Sequence, residues 1–593
     1  MQGQGLQVTG SVTGAEDGSA LPGVSVVVRG TTIGAVTDFE GNYTITVPDG
    51  SAVLMFSFVG MVTQEVPVDG RSTIDVVLEA STTALEEVVV TALGMTRSEK
   101  SLGYSVQSVE SEEISKANTA DVINSIAGRT SGVQITSSSG SPGASTFMTI
   151  RGAASILGNN EPLFVIDGMP IVTGGGENVE INRDPYSTGN TEQSSRSIDL
   201  NPEDIASMTV LKGGAATALY GLRAANGAII ITTKSGQVRQ KMKIDFHSSV
   251  SMDRMSQVPP MQNEFAQGND GQWVSGFQRS WGPNVDTLEY ATDPDYKWDT
   301  NGRIVGQSDP EANGNPVQTY DHYDFFQTGM TFNNRLSVSA GSDKATYYFS
   351  IADLEQSGIV PNSEFGRTNV RLNSSARLTK WLKISTNMAY TNSRANMIQT
   401  GSNTSGVMLG LVRTPPTFDN AQLYEFPDGT QRTYRHGGGY DNPYWTANKN
   451  SYREKTNRFI GNTILNFSFT EWFSASYNVG IDTYVKEYKN IVAVNSRTAP
   501  PGTLEEGMRN STQFNSDLLL NFRKTFGEFD AGLTVGHNMF SNRYKRLWGD
   551  AYGLEIPGFY SLSNSSDNQT GLGQPATNGI EAVSYTHLRA HET

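Results

Sequence analysis

The chain has 593 residues, with 44 Lys and Arg against 60 Asp and Glu, a formal charge of −16 and no cysteine. That balance leaves no basic stripe to neutralise phosphates, so a nucleic-acid partner is not expected, and disulfides, thiolate metal sites and a cysteine nucleophile are excluded. No run approaches the roughly 18 apolar residues of a transmembrane helix, but a membrane β-barrel, whose strands alternate apolar and polar residues, escapes that test.

The first residues, Met1-Gln2-Gly3, lack the charged and apolar regions of an export signal. Residues 7–80 read as a small β-sandwich. Short alternating runs (Val24/Val26/Val28, Tyr43/Ile45/Val47, Leu54/Phe56/Phe58, Ile74/Val76/Leu78) are separated by turn residues such as Leu21-Pro22-Gly23 and Glu40-Gly41-Asn42. Val8-Thr9-Gly10, Leu21-Pro22-Gly23-Val24, Gly30-Thr31-Thr32 and Thr37-Asp38-Phe39-Glu40-Gly41-Asn42-Tyr43 make the segment similar to the carboxypeptidase-regulatory-like domain. That resemblance implies a non-catalytic spacer or docking module. Residues 81–94 form a linker in which an acidic pair precedes Val88-Val89-Val90, a short segment of high β-propensity with no hairpin partner in view. It suits addition to a partner's sheet edge, or it is a last strand of the sandwich.

Residues 95–237 mix short helix and strand signals in an Ala/Ser/Gly-rich background. They include Ser131-Gly132-Val133-Gln134-Ile135, Ile150-Arg151-Gly152, Gly158 through Ile171, Asn201-Pro202-Glu203-Asp204-Ile205, Val210 through Ala216 and Arg223 through Lys234. In that order they resemble the plug domain of the SusC/RagA family of TonB-linked outer-membrane transporters. The resemblance places the TonB box on Leu85, Glu86, Glu87, Val88, Val89, Val90, Thr91 and Ala92, and plug motifs on Arg151-Gly152, Asp167-Gly168 and Asn226-Gly227. Read as residues alone, Asn226-Gly227 between apolar runs is a hairpin signal. Gly174-Gly175-Gly176 lacks the Lys and Ser/Thr of a phosphate loop.

From 238 to 583 period-two alternation dominates. Val370/Leu372/Ala376/Leu378 oppose Asn369/Arg371/Asn373/Arg377, and Phe473/Ala475/Tyr477/Val479/Ile481 oppose Ser474/Ser476/Asn478/Asp482. Runs of about 9–11 residues suffice to cross a bilayer at a tilt, where a soluble sandwich uses about 5–6. Tight links at Ser342-Asp343, Thr379-Lys380-Trp381, Thr470-Glu471-Trp472 and Phe526-Gly527-Glu528 alternate with long ones near Glu355–Phe365, Asn392–Asn457 and Tyr488–Gln513. This asymmetry is that of periplasmic turns and extracellular loops. Trp381, Trp472 and Phe526 then sit where an interfacial aromatic girdle belongs.

Chemistry is thinly represented. His247, His322, His436 and His537 are scattered, and the pair His587/His591 lacks the Glu of a zincin. Asp299-Thr300-Asn301-Gly302 imitates a calcium loop, but Lys297 occupies the first ligand position. Tyr434, Tyr440, Tyr444 and Trp445 either stack on a substrate or pack within loops. Residues 584–593 fit no barrel alternation and look like a non-native tail.

The expected fold is mostly β: a sandwich, an α+β plug and a partial antiparallel transmembrane barrel of about nine or ten strands, where the family's barrel has about 22. Such a half-barrel, with open edges in lipid, is not expected to fold stably or transport alone. For the parent, the resemblance implies a non-enzymatic importer without a cofactor or metal, in the outer membrane of a Gram-negative bacterium. A SusD-like surface lipoprotein delivers a glycan or peptide, and TonB with ExbB/ExbD drives uptake. A siderophore or vitamin receptor and a non-transporting adhesin are the alternatives.

Overall fold

The structure, a computed structural model, describes the chain except residues 1–5, 16–17, 30, 32, 59–60, 80–87, 91–95, 99–105, 157–159, 174–192, 213–217, 400–405, 437, 527–528, 566–575 and 593. Side chains are also not described at 88–90, 96–98, 218–219, 530 and 576–592. The chain divides into two compact units, Met1–Val89 with Thr96–Leu102, and Val90–Met95 with Gly103–Thr593.

In the first unit β1 (Leu6–Gly14), β2 (Ser25–Val28), β3 (Gly34–Val36), β4 (Asn42–Val47), β5 (Val53–Ser57), β6 (Gln64–Pro67) and β7 (Val76–Leu78) build two sheets. Their orders are β4-β1-β7 and β3-β2-β5-β6. Period two decides the faces: Tyr43, Ile45 and Val47 are buried while Asn42, Thr44 and Thr46 are exposed. They meet Val8, Val12, Val26, Leu54, Phe56 and Leu78 in one core, each large side chain contributing about 1.5–3 kcal/mol by leaving water. Tyr43 sets its ring edge against Phe56 at 5.4 Å and donates its hydroxyl to the Ile74 carbonyl at 2.8 Å, so its polar atom is satisfied inside. The Asp38 carboxylate accepts from Glu40 N and Asn42 N and turns the chain into β4, with Gly41 at φ +78°. Beyond β7, β8 (Val88–Val90) forms a two-stranded ladder with β9 (Thr96–Ser98). The three valines therefore have the local partner that the sequence did not reveal, because Thr96-Arg97-Ser98 carries neither apolar alternation nor a strong turn signal.

The second unit begins with β10 (Val106–Glu110), α1 (Ser111–Lys116), β11 (Val133–Ser137), β12 (Thr146–Ile150), β13 (Leu163–Ile166), β14 (Met169–Ile171), β15 (Ile205–Leu211) and β16 (Ala228–Thr233). Five strands form a mixed sheet, β10-β15-β16-β13-β14, with β13 parallel to β16, and β11 pairs with β12 as a separate hairpin. Phe164-Val165-Ile166 and Ile229-Ile230-Ile231 are buried on both faces, so these central strands read as continuous apolar runs. Asn226-Gly227 is not a hairpin: it joins the 3-10 segment Ala218–Ala224 to β16. That segment is kinked at Gly221 (φ +64°), and of the pair Asn226-Gly227 only Gly227 takes positive φ (+96°), where a Cβ would lie 2.9 Å from the Leu211 carbonyl oxygen.

A second sheet follows: β17 (Lys243–Asp253), then, after β18 (Gly268–Asn269), β19 (Gln272–Trp273), β20 (Leu288–Ala291), β21 (Arg303–Gly306) and β22 (Ala312–Pro316) in the link, β23 (Gly329–Gly341), β24 (Ala345–Ser357), β25 (Glu364–Arg377) and β26 (Leu382–Met397). Helices α2 (Val407–Arg413) and α3 (Pro443–Lys449) precede β27 (Ser451–Ser468), β28 (Phe473–Val492), β29 (Thr503–Phe526), β30 (Phe529–Tyr552) and β31 (Ala576–Glu592). Among the described residues β17 and β23 to β31 make one ten-stranded antiparallel meander in chain order.

Two sequence expectations need correction here. Strands reach 24 residues in β29 and β30, about 80 Å of chain against an apolar band of about 25 Å. Ladder hydrogen bonds continue above the bilayer, where side-chain alternation no longer has to match lipid. Two of the long links shrink accordingly, to 358–363 and 493–502, while 254–328 and 398–450 hold structure of their own. Residues 584–592, expected as a non-native tail, pair with β30 from His537↔Ser584 to Phe529↔Glu592; a ladder needs backbone groups, not apolar alternation, so the pairing does not bear on where the segment comes from.

Gly10 lies where a Cβ would stand 1.8 Å from the Ile74 carbonyl oxygen. Gly10→Ala is expected to destabilise the sandwich by about 1–3 kcal/mol, seen as a lower midpoint of its thermal unfolding transition, with the barrel transition unchanged.

Candidate functional site

The long sheet is inverted relative to a soluble one. On β25, Arg367, Asn369, Arg371 and Asn373 are 2–7% exposed while Leu372 is 44% exposed, and on the neighbouring strands Phe349, Ile351, Met388 and Tyr390 face outward. The tight links carry the aromatics: Trp381, Trp472 and Phe526 are exposed. Rings stack in series from Trp381 to Phe467 (6.2 Å), Phe469 (5.6 Å), Phe473 (5.1 Å) and Phe522 (4.7 Å) across four strands. An apolar outer face ending in an aromatic row is the surface a bilayer wets.

The inward polar rows hold the five-stranded domain. At the Asp167-Gly168 turn between β13 and β14 both residues have positive φ (48° and 83°). The Asp167 carboxylate accepts from Thr233 N (3.0 Å) and Thr233 Oγ1 (2.7 Å), and the turn carbonyls accept from Asn462 (3.0 Å) and Asn478 (3.1 Å) of the sheet. Gly480 leaves the space that the Met169 thioether fills; a Cβ there would be 2.1 Å from its sulfur. Of Asn201-Pro202-Glu203-Asp204-Ile205, Glu203 pairs with Arg335 at 2.8 Å, and Asp204 accepts from Tyr348 (2.9 Å) and Ser350 (2.7 Å). Arg371 stands 3.8 Å from both Asp167 and Asp204.

The densest tie surrounds Asp199 and Arg458, which are buried. Arg458 grips Asp482 through two nitrogens (2.9 and 2.7 Å), reaches Asp199 at 3.3 Å, and donates to the carbonyls of Val172 (2.6 Å) and Arg196 (2.7 Å). Asp482 in turn accepts from Val172 N at 2.9 Å, and Arg196 meets Asp199 at 3.2 Å and Glu454 at 3.5 Å. Arg367 donates to the carbonyls of Ala120 (2.7 Å), Leu200 (3.1 Å) and Ile198. These partners are separated by up to some 300 positions in sequence, and no local signal marks them. By contrast Arg151-Gly152 is a turn of positive φ (60° and 88°) with exposed side chains, held by Arg151 N on Gly132 O at 2.8 Å.

Of the TonB box, Val88, Val89 and Val90 are β8; Leu85, Glu86, Glu87, Thr91 and Ala92 lie outside the described residues. The loop aromatics resolve toward packing. Trp445 is buried and donates to Ser496 Oγ at 2.9 Å, Tyr434 packs on Phe418, and Tyr444 on Phe325. His436 stacks on Trp298 at 4.3 Å, and burial holds its imidazole down to about 4. Lys297 lies over Phe426, and Asp299 Oδ1 accepts from Asn301 N, an ordinary turn contact. A cavity of about 330 Å³ opens between the plug and the sheet at the long-link end, lined by Asn118, Asn124, Ser139, Asp253, Asn333 and Gln356 among others, with no Lys, Arg or His.

A compact domain seated against the polar face of an inverted antiparallel sheet is the architecture of a plugged outer-membrane receptor. The sequence matches the CarboxypepD_reg-like domain over residues 8–90 and the TonB-dependent Receptor Plug Domain over 98–228. It is 30% identical over 548 residues to TonB-dependent receptor P3 of Formosa agariphila, covering 91% of this chain and 48% of that protein. TonB-dependent receptor SusC of Bacteroides thetaiotaomicron is 28% identical over 467 residues, with 76% and 42% covered. The solved RagAB peptide importer in its open-open state shares the fold, with a TM-score of 0.62 at 20% identity over 85% of this chain and 54% of that one. The chain carries the domain order and the fold of TonB-dependent receptors of the SusC/RagA type. It spans about half the length of the curated relatives it matches.

Arg458→Ala leaves Asp482 and Asp199 as buried charges short of their partner and is expected to weaken the seat by about 3–5 kcal/mol, read as faster proteolysis of the plug. In the plug itself, burial and then the Asp121 charge push the Glu161 carboxyl up to about 7 from 4.5. Its protonated form therefore supports the fold fully below about pH 4.5, and that support is lost as pH rises through about 7. Glu161→Gln should remove this dependence, making thermal unfolding of the plug equally late at pH 5 and pH 8.

Proposed function

We propose that the protein imports an oligomeric nutrient, a glycan or peptide, across the outer membrane in a TonB-dependent cycle with a SusD-like surface lipoprotein. The observation that carries this reading is the seat: the plug lies against the inner face of the sheet, held by many hydrogen bonds and ion pairs that water can replace, with one apolar patch where Ile198 meets Leu354, Phe365 and Met397. Substrate arrives at the long-link end, where the hollow of about 330 Å³ offers amide, hydroxyl and carboxylate groups without a cation. That lining suits hydroxyls and peptide amides better than an anionic iron chelate. Transport also requires closure of the sheet, since an open strand edge cannot face lipid.

TonB, energised by ExbB/ExbD and the proton gradient, pairs with the segment Leu85 to Ala92 as an added strand and pulls on the plug from the short-turn side. No covalent step occurs, so the roles are mechanical: Arg458, Arg371 and Arg335 hold the plug, and Val88–Val90 receive the pull. The relatives are named as receptors and an importer, which agrees with a transport role.

Val89→Pro deletes a ladder donor and fixes φ. Uptake should fall to background while cells still bind the nutrient at their surface. Uptake at the wild-type rate would refute the assignment of the box.

A further inference from the structure

A cavity of about 700 Å³ opens in the structured body of the long links, apart from the hollow over the plug. It is lined by residues 258–263, Trp281 and 319–323 of the link before β23, and by Val412, Thr414 and Pro416 of the link before β27. The lining is braced in advance of any ligand. Tyr323 donates its hydroxyl to the Pro259 carbonyl (2.8 Å), Tyr320 N donates to Pro416 O (2.8 Å), and His322 Nε2 lies 3.0 Å from Pro415 O. Trp281 is fixed by backbone bonds to Gly268 and Gly271 and by the Phe265 ring at 6.3 Å, yet 63% of it is exposed. Met261 and Val412, also in the lining, are exposed as well. We propose that this cavity binds a neutral oligosaccharide, with Trp281 as the stacking face and Asp321 and Asn263 as partners of sugar hydroxyls. This rests on the import reading and narrows its nutrient from glycan or peptide to neutral glycan.

A pyranose ring has an apolar C–H face and a rim of hydroxyls that both donate and accept. An indole held with its face in water matches the first. For the second, the Asp321 carboxylate has about four acceptor positions and spends one on Tyr323 N (2.8 Å), while an amide such as Asn263 both donates and accepts. Other occupants fit less well. An extended peptide takes its affinity from main-chain bonds along an edge, and in the lining Pro259 and Pro260 have no N–H to give. An acidic ligand would meet Asp321 and, among the described lining residues, no Lys or Arg. A protein partner needs a patch of about 800 Å² on each side, whereas concave volumes of about 300–1,000 Å³ belong to small molecules.

The test uses the full-length receptor in a detergent without a sugar headgroup, with affinities measured by calorimetry. The probes are maltohexaose, laminarihexaose, cellohexaose and mannohexaose, with hexa-alanine as the peptide. The wild type should bind at least one hexaose and leave hexa-alanine unbound. Trp281→Ala should bind that hexaose about tenfold more weakly, and Trp281→Phe, which keeps a ring face, about threefold more weakly at most. Failure of the wild type to bind any hexaose, or equal affinity in wild type and Trp281→Ala, overturns the proposal. So does tighter binding of hexa-alanine than of every hexaose. Loss of the copurifying surface lipoprotein in Trp281→Ala with sugar affinity unchanged overturns it too, by giving the face to that partner. Uptake of the bound hexaose at the wild-type rate by cells lacking the receptor instead refutes the import reading and leaves the cavity's ligand standing, so the two failures are distinguishable.

Discussion

The structure depends on one constraint: the long sheet presents apolar side chains to the outside and polar ones to the inside, and the inner polar groups must find partners once they are closed off from water. Arg458, Arg367, Asp482 and Asp199 have 2% or less of their side chains or residues exposed. Leaving one such charge unpaired costs several kcal/mol. The plug answers with carboxylates and backbone carbonyls at matching heights, so its position follows from the charge pattern of the wall.

The character of this interface bears on motion. The plug has its own apolar core, from Val109, Ile114, Phe164, Met208 and Ile229 among others, and the sheet contributes a single residue, Ile460, to it. Beside it a second apolar cluster sets Ile198 and Ala120 of the plug against Leu354, Phe365, Met397, Tyr452 and Tyr488 of the sheet, and the other ties described above are hydrogen bonds and ion pairs. An apolar interface would have to expose greasy surface on opening, whereas hydrogen bonds given up by the plug are taken over by water at a net cost of about 0.5–1.5 kcal/mol each.

The links at the far end tell a different story from the tight turns. The segments 254–328 and 398–450 are cross-braced into a structured body: Arg432 donates to the carbonyls of Trp298, Asp419 and Gln422, Tyr320 N to Pro416 O, and Gln267 to Tyr434 O. Strand periodicity stops there, and what replaces it is one arginine, fully buried, satisfied by backbone oxygens of two separate loops. Of the loop aromatics that could stack on a substrate, Tyr434 packs against Phe418 and Tyr444 against Phe325 in that body, and His436 stacks on Trp298.

Alternation such as Tyr43/Ile45/Val47 or Asn369/Arg371/Asn373 was legible from the chain alone, because period two assigns each residue to a face whatever the strand meets. The tight links and their aromatics were legible for the same reason: turn chemistry and interfacial preference act over a few residues. Strand length was not, since the ladder runs on in water where no side-chain rule marks its end. The pairing of β8 with Thr96-Arg97-Ser98, and the meeting of Asp199 with Arg458 or Asp167 with Asn462, could be decided only in three dimensions. Hydrogen bonds and ion pairs between groups hundreds of positions apart leave no periodic trace in sequence, and it is those contacts that turn a sheet and a small domain into a plugged receptor.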